Sequence, residues 1–161
     1  MPTLKDKLIE SIKESQGSKD FRHYYIKKNE EWFDTSKNGR LSCAIFVSRK
    51  LAEFSGLVIC PHATVESTVR DLEKSGWYKI NEPKEGAVIV WEDILRSDEK
   101  MHSHIGFVLN QNLAISNNGA QGVPWQHHLT KFDEELGQGE NVPERKIKDI
   151  YWHKFLDEPT E

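Results

Sequence analysis

The first part of the chain places its apolar residues with the period of a helix. Leu4, Leu8 and Ile12 fall on one helical face, with lysines and glutamates between them. We therefore expect an N-terminal surface helix that buries one apolar stripe. From residue 17 to residue 41 the pattern is less regular, and its aromatic residues stand among charges. We interpret that stretch as a short helix followed by a loop, with a turn at Lys37–Arg40.

Two further helices are predicted between Ser42 and Gly76. Ser42 is a suitable N-cap for a helix that ends near Gly56. The apolar residues of that helix share one face: Cys43, Val47, Leu51 and Phe54. Thr64 caps a third helix, which ends at Gly76. Cys43 therefore stands on the first turn of the second helix.

Beyond Gly76 the pattern changes to short runs that are rich in β-branched and aromatic residues, as is typical of strands. These runs are WYKI, GAVIVWE, HIGFVLN, LAISNN and DIYWHKF, separated by turns such as PKEG and NQN. Helices followed by strands predict an α+β domain in which the N-terminal helices pack on a C-terminal antiparallel sheet. We expect a single domain over residues 1–161, with residues 1–40 as an N-terminal helical extension.

Composition narrows the classes of partner. The net charge is −4, and the 30% of charged residues are mixed in sign, which argues against nucleic acid. No apolar run is long enough for a membrane span, and the charged opening segment lacks the apolar core of a secretory signal. The two cysteines are too few for a disulfide framework, so we expect free thiols.

Cys43 is the first candidate for chemistry. The first turn of a helix favours a thiolate, because unpaired N–H groups and the positive end of the helix dipole face the sulfur. The alternative is that Cys43 is a small apolar residue at the start of a core stripe. A base close to Cys43 would favour the interpretation as a nucleophile over that as a core residue.

His104 is the candidate base. It opens a predicted strand, and Gly106 on the same face leaves room for another element, which the helix carrying Cys43 could fill. The alternative is an ordinary hydrogen-bonded histidine at a strand end. A Cys–His pair also needs a third polar group to orient the imidazole, and the next strand offers Ser116, Asn117 and Asn118.

Three motifs follow one another over about half of the chain: CAIFVSRKL, then EPKEGAVIVWE, then HSHIGFVLNQNLAISN. In order and spacing they resemble the NlpC-type and CHAP (cysteine, histidine-dependent amidohydrolase/peptidase) group of papain-like cysteine hydrolases. The resemblance implies a papain-like fold with Cys43 as nucleophile and His104 as general base. Ser116 stands where the family often has histidine, whereas Asn117 is the better orienter by chemistry. Ser42 and Ala87 replace two aspartates of NlpC-type members, which places the chain closer to the CHAP side.

The resemblance also implies an activity and a substrate. These enzymes hydrolyse peptide or amide bonds of peptidoglycan without a cofactor or metal, and we expect a monomer. His102 and Trp125 are candidates for lining the substrate cleft, with Trp125 in a loop formed by GVPWQHHLTKF. Without a signal, the protein would act in the cytoplasm or leave by a non-classical or phage-type route.

Two other classes of function stay open. One is a catalytically inactive binding domain on the same fold. The other is a zinc hydrolase that uses His102 and His104, with His127 or His128 as a third ligand. Cys60 precedes a proline and is interpreted as structural, as is His153. Cys60 and His62 form a conceivable metal pair that lacks further ligands.

Overall fold

The protein forms three helices in a computed structural model that describes residues 1–35, 42–133, 137–138 and 141–160. The helices are α1 (Leu4–Glu14), α2 (Cys43–Ala52) and α3 (Val65–Lys74). The Thr3 and Thr64 hydroxyls accept hydrogen bonds from first-turn N–H groups and so cap α1 and α3. The predicted N-terminal helix is present, and α2 and α3 begin where the sequence predicts. Helix α2 ends before the expected Gly56, which instead adopts φ +89° in the following turn.

A six-stranded antiparallel sheet forms the second layer. Its strand order is β3-β10-β4-β5-β6-β7, and the α+β expectation is confirmed. The bounds are β3 (Tyr78–Ile80), β4 (Val88–Leu95), β5 (Met101–Val108), β6 (Leu113–Asn118), β7 (Val123–His128) and β10 (Ile147–Trp152). Two small hairpins accompany it: β1 (Tyr25–Lys28) with β2 (Glu31–Asp34), and β8 (Phe132–Asp133) with β9 (Gly137–Gln138). A 3₁₀ turn over Lys154–Asp157 follows β10.

The prediction of a short helix after residue 17 is wrong, because residues 25–34 form the β1–β2 hairpin. Asn29 and Glu30 both have positive φ, at 53° and 65°, which is the conformation of the tight turn that joins twisted strands. Asn-Glu is a weaker signal for this turn than Asn-Gly, so the sequence pattern does not predict the hairpin. The turn expected at Lys37–Arg40 lies outside the described residues.

The prediction of a loop at Trp125, His127 and His128 is also wrong, because these residues belong to strand β7. The segment has few β-branched residues and contains Pro124, which weakens its strand signal. It nevertheless pairs along its whole length with β6 as the last strand of the sheet. An edge position tolerates proline because one side of the strand makes no ladder bonds.

Helix α2 lies at the centre of the core. It packs against β5 and β6 on one side and against α1 and α3 on the others. The Phe46 ring meets Phe107 of β5 edge-on at 5.6 Å and Phe21 at 5.1 Å. Burial of each such side chain stabilises the fold by about 1.5–3 kcal/mol. These contacts hold the start of α2, and Cys43 with it, in a fixed position.

Among the described helices, none is long and apolar enough to cross a membrane.

Candidate active site

Cys43 is the first residue of α2 and is partly buried. The preceding Ser42 makes no side-chain capping bond, and its buried Oγ has no hydrogen-bond partner among the described residues. The first turn of α2 contains no acidic side chain. The positive end of the helix is thus neither capped by Ser42 nor neutralised by a first-turn carboxylate, which suits a thiolate or an incoming oxyanion.

His104 lies on β5 and is 3% exposed. Its Nε2 is 2.8 Å from Ser116 Oγ on β6, and the same Oγ is 2.7 Å from His127 Nε2 on β7. The Nδ1 of His127 is in turn 2.7 Å from the carbonyl oxygen of His128. We call this chain of His104, Ser116 and His127 the histidine relay.

The carbonyl at the end of the histidine relay sets the direction of its hydrogen bonds. A carbonyl oxygen only accepts, so His127 Nδ1–H donates to His128 O. In the neutral ring His127 Nε2 is then an acceptor, and it takes the Ser116 hydroxyl proton. Ser116 Oγ accordingly accepts from His104 Nε2–H. This assignment leaves the lone pair of neutral His104 on Nδ1, which is the form of a general base.

Aromatic rings enclose the histidine relay. Trp91 lies 5.2 Å from the His104 ring and 5.7 Å from the His127 ring, and Phe132 stacks on His127 at 3.9 Å. The Trp91 indole is itself fixed, because its Nε1 donates to Leu129 O at 2.9 Å. Apolar surroundings strengthen hydrogen bonds and restrict the rings, so the relay is held in one arrangement.

The space beside Gly106 serves a different purpose from the one expected. A Cβ at Gly106 would lie 2.6 Å from Ile115 O, 2.8 Å from Ser116 Cβ and 3.2 Å from the Trp91 indole. The glycine therefore admits β6 and Trp91, and the expectation that α2 fills this room is wrong. Helix α2 instead contacts β5 at Phe107. The pairing of Cys43 with His104 stays a prediction.

The structure distinguishes the three candidates for the orienting residue. The Ser116 hydroxyl hydrogen-bonds His104 Nε2 at 2.8 Å. Asn117 is buried and, as the next residue along the strand, faces the opposite side of the sheet. The Oδ1 of Asn118 accepts the N–H groups of Ala120 and Gln121, so this side chain fixes the turn that follows β6.

The two candidate cleft residues have separate environments. The Nε2 of His102 is 2.8 Å from an oxygen of Asp98, in the turn before β5. The pKa of Asp98 is lowered, first by the N–H of Lys100 and then by His102. Trp125 is 45% exposed and pairs with Ser116 across the strands, so it shares a sheet face with the histidine relay. The ring of Trp125 lies beside Gly17.

No family model matches this chain, and no curated protein or solved structure matches it either.

The histidines of the zinc alternative do not converge as ligands. His102 is paired with Asp98, while His104 and His127 both bond to Ser116. Over the described part of the chain, one group of three side chains could hold a metal ion, and it consists of Cys60, His62 and Asp71. That group contains neither His102 nor His104.

His127 is the site residue whose role sequence reasoning missed. The sequence predicts a loop residue or a zinc ligand at this position, because the composition of β7 gives a weak strand signal. Once β7 is paired with β6, alternation places His127 on the same face as Ser116, where the two side chains meet. A weak strand following a turn was the signal that could have revealed it.

Proposed function

We propose that this protein is a cysteine hydrolase of the papain-like NlpC/CHAP type that cleaves an amide bond. Cys43 is the nucleophile and His104 the general base. The observation that carries the proposal is the histidine relay, which supports a His104 tautomer with its proton on Nε2 and its lone pair on Nδ1. In this tautomer His104 has the unprotonated nitrogen that a general base needs.

In this proposal His104 Nδ1 takes the proton of the Cys43 thiol. The thiolate attacks the carbonyl carbon of an amide, and the resulting oxyanion is stabilised by N–H groups at the start of α2. The tetrahedral intermediate expels the amine, which leaves with the proton from His104. Water, deprotonated by His104, then hydrolyses the thioester and restores the thiol.

Ser116 and His127 act through His104 in this scheme. When His104 becomes an imidazolium, its Nε2–H still donates to Ser116, so the ring keeps its orientation during proton transfer. The neighbouring His127 stabilises the hydroxyl that receives this bond. Ser116 and His127 are therefore positioning residues.

Peptidoglycan peptide is the substrate class that we propose. It follows from the resemblance of the three motifs to the NlpC-type and CHAP group. An exposed aromatic residue, Trp125, lies on the relay face and offers a flat apolar contact for a peptide or sugar.

The first test is the pH dependence of iodoacetamide alkylation at each cysteine, resolved by peptide mass spectrometry. An ordinary thiol reacts mainly as the pH approaches its pKa of about 8.5. We expect Cys43 to react well below that pH in the wild type and to lose this reactivity in His104→Ala. Cys60 is the internal reference, because the His104 substitution should leave its profile unchanged.

Ser116→Ala repeats the test with a smaller structural change, in case His104→Ala does not fold. If Cys43 titrates as an ordinary thiol that neither substitution affects, the hydrolase proposal fails. The fold would then be better explained as a binding domain. If Cys43 is reactive, peptidoglycan fragments are the first substrates to assay.

A further inference from the structure

A second cysteine, Cys60, lies with a histidine and a carboxylate beside α3. Its Sγ is 3.9 Å from His62 Nε2, which is 2.6 Å from Asp71 Oδ2. One potential ligand atom from each of the three residues lies within 4.8 Å of the other two. Asp71 is 3% exposed and His62 20%, while Cys60 is exposed. The group is thus anchored in the protein at one end and open to solvent at the other.

The carboxylate of Asp71 is held by several donors. The N–H of Ile59 lies 2.9 Å from its Oδ1, and the Ser75 hydroxyl is 2.8 Å from the same oxygen. The N–H of Cys60 is 3.3 Å from Oδ2. These hydrogen bonds fix the carboxylate, and they keep it in the ionised form that a metal ion requires.

The segment that carries Cys60 and His62 is also fixed. The His62 N–H donates to Ser48 Oγ of α2 at 2.8 Å, and the Trp77 indole donates to Leu57 O at 2.7 Å. Pro61 lies between the two candidate ligands and limits the backbone there. The side chains of Cys60 and His62 are therefore presented together, with little freedom to separate.

The chemistry of these ligands favours a borderline-soft divalent cation. Thiolate, imidazole and carboxylate are the side chains that bind Zn²⁺, with ligand bonds of about 2.0–2.3 Å. Tetrahedral geometry with such bonds separates ligand atoms by about 3.3–3.8 Å. The Cys60–His62 distance already approaches this range, and the His62–Asp71 contact needs to open by less than about 1 Å. Ca²⁺ and Mg²⁺ fit poorly, because they prefer six or more oxygen ligands.

We propose that Cys60, His62 and Asp71 form a binding site for Zn²⁺ or a similar cation, with a fourth position open to water. On binding, Cys60 releases its thiol proton to solvent, and His62 gives up the Nε2 proton that it donates to Asp71 while keeping or gaining one on Nδ1. Metal bonds to Nε2 and to the Asp71 carboxylate then replace their hydrogen bond. The ion would tie the segment after α2 to α3. The inference is independent of the proposed hydrolase activity.

The experiment is a titration of metal-free, full-length protein with Co²⁺ at neutral pH, followed by absorption spectroscopy. A thiolate bound to Co²⁺ gives a near-ultraviolet charge-transfer band, and tetrahedral coordination gives intense visible bands. We expect one saturable site, from which Zn²⁺ displaces Co²⁺. In Cys60→Ser the charge-transfer band disappears, and in His62→Gln the affinity falls by about tenfold or more.

The matched control is Cys43→Ser, which removes the other cysteine and should keep the whole spectrum. Cys60 is exposed, so Cys60→Ser should fold normally, and circular dichroism checks this. The proposal is overturned if wild-type protein gives no charge-transfer band. It is also overturned if the band persists in Cys60→Ser or is lost in Cys43→Ser.

Discussion

Two histidines of this molecule, His104 and His62, are each proposed to act together with a cysteine, and they differ in the group that is hydrogen-bonded to the imidazole. His104 is buried in the sheet and is hydrogen-bonded to a neutral hydroxyl, Ser116. His62 is partly exposed and is hydrogen-bonded to the Asp71 carboxylate through the nitrogen that also faces the Cys60 thiol. The two proposed sites thus use the same residue types for different chemistries.

The difference lies in which nitrogen remains for the thiol. In the histidine relay the bond to Ser116 occupies Nε2 of His104, so the tautomer assigned to the neutral ring has its lone pair on Nδ1, as the proposed Cys–His pair requires. At His62 the thiol and the carboxylate converge on one nitrogen, so a cation placed between them would contact all three. The first geometry suits proton transfer, and the second suits coordination of a metal ion.

The largest effect is expected at Cys43. Cys43→Ser should lower kcat on an amide substrate by about 10⁴-fold or more, because the replacement hydroxyl is a far weaker nucleophile than a thiolate. Hydrolysis of peptidoglycan peptides, followed by chromatography, measures the loss. The control is Ser97→Ala, which removes an exposed hydroxyl in the turn after β4. Equal activity in Cys43→Ser and wild type would contradict the proposed role of Cys43 as the nucleophile.

The next effect is expected at Ser116. Ser116→Ala leaves the buried Nε2–H of His104 without its acceptor, which should lower the free energy of unfolding by about 1–3 kcal/mol. Because the imidazole also loses its orientation, kcat should fall by about 100-fold with little change in KM. Urea denaturation and steady-state kinetics measure the two effects.

Ser116→Thr is the conservative partner of this variant, because it restores the hydroxyl. Recovery of kcat in Ser116→Thr would support a positioning role for the hydroxyl. A variant that is destabilised but fully active would show instead that Ser116 serves packing alone.

The third test compares two His–Asp pairs. Asp71 is buried and accepts backbone N–H groups, whereas Asp98, paired with His102, is exposed. Asp71→Asn should lower the free energy of unfolding by about 1–2 kcal/mol, because one oxygen becomes a donor that faces other donors. Asp98→Asn should change it by about 0.5 kcal/mol or less. Urea denaturation without metal measures both, and similar losses would mean that burial does not distinguish the pairs.

The helices and the central strands could be predicted because their signals are local. The stripe of Leu4, Leu8 and Ile12 and the cap at Thr64 each depend on residues close in sequence, and all lie where expected. Strand β7 could not be predicted in this way. Its pairing with β6 supplies what its own composition lacks, and such long-range pairing leaves little trace in a single sequence.

For the candidate site, the sequence predicts which residue types take part better than it predicts which of them contact one another. Ser116 was among three polar candidates on one strand, and alternation alone could not choose between Ser116 and Asn118. The choice depends on His127, which reaches Ser116 from β7. The role of Gly106 likewise depended on where the Trp91 indole lies, and Asp71 joined Cys60 and His62 only through the packing of α3.

The smallest effect is expected at Trp125, at the exposed edge of the relay face. Trp125→Ala should raise KM for a peptidoglycan peptide by about tenfold or less and leave kcat unchanged, because the indole offers binding area without touching the reacting atoms. Trp32, which is 66% exposed on the β1–β2 hairpin, provides the matched control as Trp32→Ala. A change confined to Trp125→Ala would place the substrate over β7, next to the histidine relay. Equal changes in both variants, or a change in Trp32→Ala alone, would place it elsewhere and separate the substrate surface from the relay face.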